Sequence, residues 1–198
     1  MFSASDDALP GLGRPNFEPA VLEIALRVAR LPAGSLVLID GASGTGKTTL
    51  ASEIERVLSG VDVPLVIHMD DLYPGWDGLE QGIRNLHEWI LTPRADGQPV
   101  TWQRYDWLSK RFDPGHSLDT SKTVIVEGCG ALGLGAHTHA DLSFWVSADD
   151  DVRRARALAR DPAQDFASHW DQWDNQFTAY VEREAPGSHA SIHVRCVG

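Results

Sequence analysis

Lysine is scarce in this chain. Of 17 basic residues only Lys47, Lys110 and Lys122 are lysines, and 28 acidic residues set a formal net charge of −11. That sign is wrong for general nucleic-acid binding, which rests on neutralising phosphates. Any phosphate ligand must be met by cations gathered locally. Cysteine is scarcer still. Cys129 and Cys196 form no C-x-x-C pair, so neither a disulfide framework nor a zinc site is expected, and both read as core thiols. No apolar run approaches the roughly 20 residues of a membrane span. The first 15 residues carry acids and no basic n-region, so no signal peptide is expected there. A reducing cytoplasm fits these absences. There is no internal repeat and no low-complexity tract.

What is present describes a globular chain. Its 198 residues are 42% apolar and 23% charged, enough for one domain over residues 1–198 that buries about 70% of its unfolded surface. Residues 1–16 are rich in Gly, Pro and Asp and read as an irregular arm. A helix is expected from Pro19, with Val21, Ile24, Val28 and Leu31 on one face. Short apolar runs at 35–40, 63–69, 123–127, 142–146 and 192–196 read as buried strands. Between them lie helical patterns: one after Thr48, one carrying Leu79, Ile83, Leu86 and Ile90 with Asp77 as its cap, one from about Asp149, and one whose face is Phe166, Trp170, Trp173, Phe177 and Val181. Strands alternating with helices predict an α/β fold, a five-stranded, mainly parallel sheet with helices on both faces. Ligands of such sheets sit at the carboxyl ends of the strands.

The segment Gly41-Ala42-Ser43-Gly44-Thr45-Gly46-Lys47-Thr48 satisfies G-x-x-x-x-G-K-[ST]. A chance match in a chain of this composition has a frequency of about 0.3%. It follows an expected strand and opens an expected helix, as a phosphate-binding loop must. Its glycines let successive N–H groups turn toward phosphate oxygens, and the helix N-terminus adds partial positive charge. Lys47 reaches the β/γ-phosphates and the Thr48 hydroxyl reaches Mg²⁺. Thr49, next in the helix start, is expected to bind the nucleotide with the other residues of the loop.

Two acidic positions fall at the same sheet edge. Asp70 and Asp71 close the second strand, where one carboxylate can accept a proton from an attacking hydroxyl and another can hold Mg²⁺. Glu127 ends the third strand, where a carboxylate can orient metal-bound water. Arg153, Arg156 and Arg160 share a helix face and are placed to stabilise phosphoryl-transfer charge, unless Asp149, Asp150, Asp151 and Asp161 pair with them. His137 and His139, without a third ligand, read as loop residues.

Together these motifs resemble the uridine–cytidine kinase and phosphoribulokinase-like family of P-loop kinases. Residues 39–49 are similar to that family's opening strand and loop. His68-Met69-Asp70-Asp71-Leu72-Tyr73 resembles its D-D/S-F-Y signature, which implies Asp70 as catalytic base and Tyr73 lining the acceptor pocket. Trp76-Asp77 resembles an aromatic-Asp pair whose Asp holds substrate hydroxyls. Arg104-Tyr105-Asp106-Trp107 resembles the Y-D-F/W element over the acceptor. Val124-Ile125-Val126-Glu127-Gly128 resembles the I-V-E-G strand, and residues 151–161 resemble the lid helix, implying Arg156 and Arg160 as phosphate clamps. The family's base-reading His is replaced by Ser109-Lys110-Arg111.

The resemblance implies a P-loop NTPase fold with a small acceptor-binding insert over 71–116 and a short lid over 149–165. It implies ATP and Mg²⁺ as cofactors and phosphoryl transfer to a small-molecule acceptor, with a nucleoside first. A sugar, a pantothenate-like acid or an antibiotic is the alternative acceptor, and a nucleotide-dependent switch is the alternative class. No nucleic acid and no membrane is expected as partner, and self-association into a homo-oligomer stays open.

Overall fold

Strands covered on both sides lose the alternation of half-exposed ones, and the two central strands here run apolar up to a closing acid. The computed structural model describes residues 18–60, 63–159 and 166–196. The expected arm at 1–16 and Arg160 lie outside them. Five strands, β1 (Leu36–Asp40), β2 (Leu65–His68), β3 (Val124–Glu127), β4 (Leu142–Ser147) and β5 (Ile192–Arg195), form one sheet in the order β2-β3-β1-β4-β5. Every pairing is parallel. Ile39 lies opposite Glu127, and His68 lies opposite the same Glu127 from the other side.

Helices cover both faces. On one, Val37, Ile39, Ile125, Phe144 and Val146 pack with Val21, Ile24 and Val28 of α1 (Glu18–Ala29) and with Leu50, Ile54 and Leu58 of α2 (Lys47–Leu58). On the other, Leu36, Leu38, Ile67, Val124 and Val126 pack with Leu79, Ile83 and Leu86 of α3 (Leu79–Leu86) and Trp173, Phe177 and Tyr180 of α5 (Phe166–Glu184). Between them in the chain runs α4 (Asp150–Ala159). Each such Leu, Ile or Phe contributes about 2 kcal/mol on full burial. The aromatic stripe of α5 is core, as expected. Among the described residues no helix is long and apolar enough to cross a membrane.

The region 71–116 is built differently from its expected form. Gly78, not Asp77, precedes the first turn of α3, and no side chain caps it. The helix also does not stop near Ile90. It widens into a π-turn over His87–Leu91 and continues as a short helix, Thr92–Ala95. Pro93 explains this: its ring lacks an N–H and crowds the preceding turn, and a wider turn accommodates it. Two small antiparallel ribbons follow, Val100–Trp102 with His116–Leu118 and Tyr105–Asp106 with Arg111–Phe112. At the opposite edge of the sheet the return from β3 to β4 turns at Leu134 and Gly135, both with positive φ, and stacks His137 on His189 with centroids 4.5 Å apart.

Candidate active site

The loop from Gly41 to Gly46 leaves β1 and enters α2 at Lys47. Gly41, Gly44 and Gly46 all take positive φ (148°, 80° and 100°), which suits glycine. A Cβ on Gly41 would collide with the Val146 carbonyl of β4, and one on Gly44 with the Arg153 carbonyl of α4. The loop is therefore clamped between its own strand's neighbour and α4. Thr45 closes it locally through Oγ1 to the Ala42 carbonyl at 2.8 Å. Lys47 is largely buried. Its Nζ donates to the Ala42 carbonyl at 2.9 Å and reaches the Cys129 sulfur at 3.7 Å. The same sulfur meets the Ser43 hydroxyl at 3.5 Å. Burial pushes the Cys129 thiol above its ordinary value, so it faces Lys47 as a neutral group.

Three side chains meet at the end of β3. Glu127 is 4% exposed, and its Oε1 accepts from Thr48 Oγ1 at 2.9 Å and pairs with His68 Nδ1 at 2.6 Å. Burial acts to raise the Glu127 carboxyl, but His68, Lys47 and Thr48 together bring it below its ordinary value. The Glu127 hydrogen bond raises His68 above its own, against the opposing effect of burial. The carboxylate is ionised, so Nδ1 is the donor.

Asp40, fully buried at the end of β1, gathers four donors. Oδ1 accepts from the backbone N–H of Gly41 (2.6 Å) and Gly130 (2.9 Å); Oδ2 accepts from Leu132 N–H (2.9 Å) and the Tyr180 hydroxyl (2.7 Å). One carboxylate thus ties the loop, the turn after β3 and helix α5 together. Burial pushes Asp40 up while these donors pull it down.

The insert side of the site starts at the 3₁₀ turn Met69–Asp71. Asp70 is exposed there, and its carbonyl accepts from Trp107 Nε1 at 3.0 Å. Asp71 is half-buried and paired with Arg104 Nε at 2.9 Å. Burial raises its carboxyl despite the guanidinium. Asp77 accepts from Gln172 of α5 at 2.5 Å. Trp76 stacks on His169 at 4.6 Å and touches Trp107 at 4.9 Å. Tyr105 is mostly buried between Trp107 and Phe112.

No protein-family model matches the chain. It is 29% identical to the uridine kinase of Lactobacillus johnsonii over 164 residues, covering 74% of this chain and 76% of that protein. It is 28% identical to the uridine kinase of Staphylococcus aureus over 165 residues, covering 76% and 79%. The chain is similar to these uridine kinases. Its fold is that of P-loop kinases. A structure from Bacillus stearothermophilus described as a possible uridine kinase superposes with a TM-score of 0.63 at 20% identity, covering 90% of this chain and 98% of that one. One from Silicibacter sp. TM1040, provisionally described as a fructose transport system kinase, superposes at 0.58 and 17% identity, covering 88% and 98%.

Gly41 through Thr48, Asp70 and Glu127 gather at one sheet edge, as their spacing predicts. Two expected positions sit elsewhere. Tyr73 is fully enclosed, its ring against Gly82 and Trp173 and its hydroxyl donating to the Cys129 carbonyl at 2.6 Å. It supports the floor of the site and does not line an open pocket. Arg156 directs Nη1 to Cys196 at 3.0 Å, just beyond β5. Arg153, on the expected phosphate-facing side, is held by Asp150 and Asp174 at 2.8 Å each, its guanidinium over Trp170. Arg160 lies outside the described residues. His68 and Asp40 carry no motif that marks their roles in the sequence. The available signals were an Asp ending an apolar run and a His two residues before Asp70 at a strand end.

Proposed function

We propose that this chain is a Mg-ATP-dependent kinase that phosphorylates a hydroxyl of a small molecule, a nucleoside in the first instance. The observation that carries the proposal is the phosphate loop, with buried Lys47 and the Thr48–Glu127 pair beside it, facing Asp70 across the carboxyl edge of the sheet. The Thr48 hydroxyl and the Glu127 carboxylate, hydrogen-bonded to each other, offer hard oxygen donors that fit a magnesium ion. Among the described residues no group of three or more His, Cys, Asp or Glu is arranged to hold a metal, so these oxygens would hold a cation only together with bound nucleotide. Asp70 is a further oxygen donor at this edge. Bound there, magnesium neutralises phosphate charge.

The chain's own residues do the rest. Backbone N–H groups of the loop beyond Gly41 and the N-terminus of α2 hold the phosphates. Lys47 exchanges its Ala42 and Cys129 contacts for a phosphate oxygen. Asp70, as base, accepts the proton of the attacking hydroxyl. Asp77, Arg104 and Tyr105 orient the acceptor, with Tyr73 behind them. For Arg156 to reach the transferring phosphoryl group it must leave the Cys196 sulfur, and Arg160 is its companion in the resemblance to the lid helix. Positioning and charge stabilisation supply the rate.

A second acceptor class has its own support. Ser109-Lys110-Arg111 stands where the resembling nucleoside kinases read the base with His, and Arg104 is committed to Asp71 through only one nitrogen. A sugar or an acidic metabolite fits that chemistry. ADP release with Mg-ATP against a panel of nucleosides, sugars and pantothenate decides between them. Stimulation by uridine or cytidine supports the nucleoside reading, and stimulation by a non-nucleoside alone supports the second. Lys47→Ala is expected to weaken ATP binding and turnover together. Asp70→Asn is expected to lower turnover about 10²–10⁴-fold with ATP affinity near normal. Collapse of ATP affinity in Asp70→Asn overturns the base assignment.

A further inference from the structure

Glu127 is the one acid of the site whose orientation is fixed by side chains on both sides, and one of the two is unexplained. Thr48 belongs to the phosphate loop. His68 does not. It sits on the neighbouring strand in direct register with Glu127, and its imidazole is partly open to solvent, with 41% side-chain exposure. A histidine placed only to fill space would not aim Nδ1 at a buried carboxylate at 2.6 Å. Among the described residues, both hydrogen bonds to Glu127 fall on Oε1 and none on Oε2. A carboxylate fixed by two donors on one oxygen keeps a single orientation and presents the other oxygen. That is how outer-shell partners hold metal-binding groups.

We propose that His68 is a positioning residue: its Nδ1–H, with the Thr48 hydroxyl, pins Oε1 of Glu127 and leaves Oε2 as the oxygen presented to the cation that accompanies bound nucleotide. The inference rests on the kinase reading above and adds a residue to it. His68 touches neither phosphate nor acceptor in this role. It acts only through Glu127, and the groups around it are Glu55, Asp70 and Asp71 besides Glu127 itself.

Two variants separate hydrogen bonding from packing. Asn places an amide N–H close to where the histidine has Nδ1–H, whereas Leu fills similar space with no donor. Binding of ATP is measured by titration calorimetry at fixed protein while Mg²⁺ is varied, and again in EDTA without Mg²⁺. Turnover is measured over the same Mg²⁺ range, and thermal melting confirms that each variant is folded. His68→Leu is expected to raise the half-saturating Mg²⁺ concentration about tenfold or more. Metal-free ATP binding should stay within about twofold of wild type, and His68→Asn should return Mg²⁺ dependence to near the wild-type range. An unchanged Mg²⁺ dependence in folded His68→Leu overturns the proposal and leaves the kinase reading standing. So does equal loss in Leu and Asn, which marks a packing role. A wild-type chain that binds no Mg-ATP overturns both readings. If His68→Leu does not fold, His68→Asn and His68→Gln decide. Gln reaches as far as the distal ring nitrogen, so Asn retaining and Gln losing Mg²⁺ dependence supports the Nδ1 assignment, and the reverse overturns it.

Discussion

Asp40 accepts four hydrogen bonds and donates none, so both of its oxygens are committed as acceptors. An amide cannot copy this. In either orientation, Asp40→Asn sets an NH₂ group against two donors. The expected loss is about 3 kcal/mol of stability, the cost of leaving buried partners unmatched, read from urea unfolding. A loss below about 1 kcal/mol would mean that Gly41, Gly130 and Tyr180 find other acceptors. The phosphate loop was legible at this scale because its chemistry is local: six to eight consecutive residues specify it. Asp40 and His68 were not, because their partners lie far away in sequence. Glu127 is 59 positions from His68, and Tyr180 is 140 from Asp40, and only strand order brings them together. Tyr73, which the resemblance turns toward the acceptor, points into the core for a related reason. A motif gives a residue's neighbours in sequence and not the direction of its side chain.

Elements were more legible than their ends. The five strands and the apolar faces of the main helices follow from apolar runs and periodicity, and a mainly parallel sheet follows from covered strands; the structure makes every pairing parallel. The run through the π-turn to Ala95 did not follow, because a proline in a helical pattern ordinarily reads as a stop. Packing between elements makes Gly44→Ala informative. The new Cβ meets the Arg153 carbonyl, and its φ of 80° strains any L side chain. Loop and α4 must then separate, so ATP affinity is expected to fall at least tenfold, by calorimetry, with a lowered melting temperature. Unchanged affinity would show that α4 gives way freely.

The return loop between β3 and β4 carries a pH dependence. Burial, with the neighbouring His189, holds His137 below the ordinary value of 6.5, and among the described residues His137 Nδ1 is buried without a hydrogen-bond partner. A depressed histidine favours its neutral form in the fold. Its contribution is therefore present above pH 6.5 and lost as pH falls through the folded value. Melting temperature is expected to decline between pH 6.5 and about 5, and His137→Phe, which keeps a ring on His189, should flatten that part of the curve. An unchanged slope in the variant assigns the acid sensitivity to other groups.

At the scale of the whole molecule, α5 joins the insert to the sheet. Gln172 holds Asp77, Gln176 holds the Trp76 carbonyl at 2.7 Å, and Tyr180 holds Asp40. One apolar cluster runs from Leu36 and Val124 in the sheet to Ile90, Leu91 and Val100 in the insert. We expect the insert and the sheet to unfold together as one domain. Tryptophan emission, with Trp76, Trp89, Trp102 and Trp107 in the insert, should change at the same urea concentration as far-UV circular dichroism. Two separate midpoints would divide the chain into units.

The scarcity of lysine has a practical consequence. Lys110 and Lys122 are exposed, whereas Lys47 is shielded by its own loop. Amine-reactive tethers and dyes will attach at the two exposed side chains and spare the phosphate loop. The protein can thus be anchored to a sensor surface by ordinary coupling chemistry with its nucleotide cradle chemically untouched.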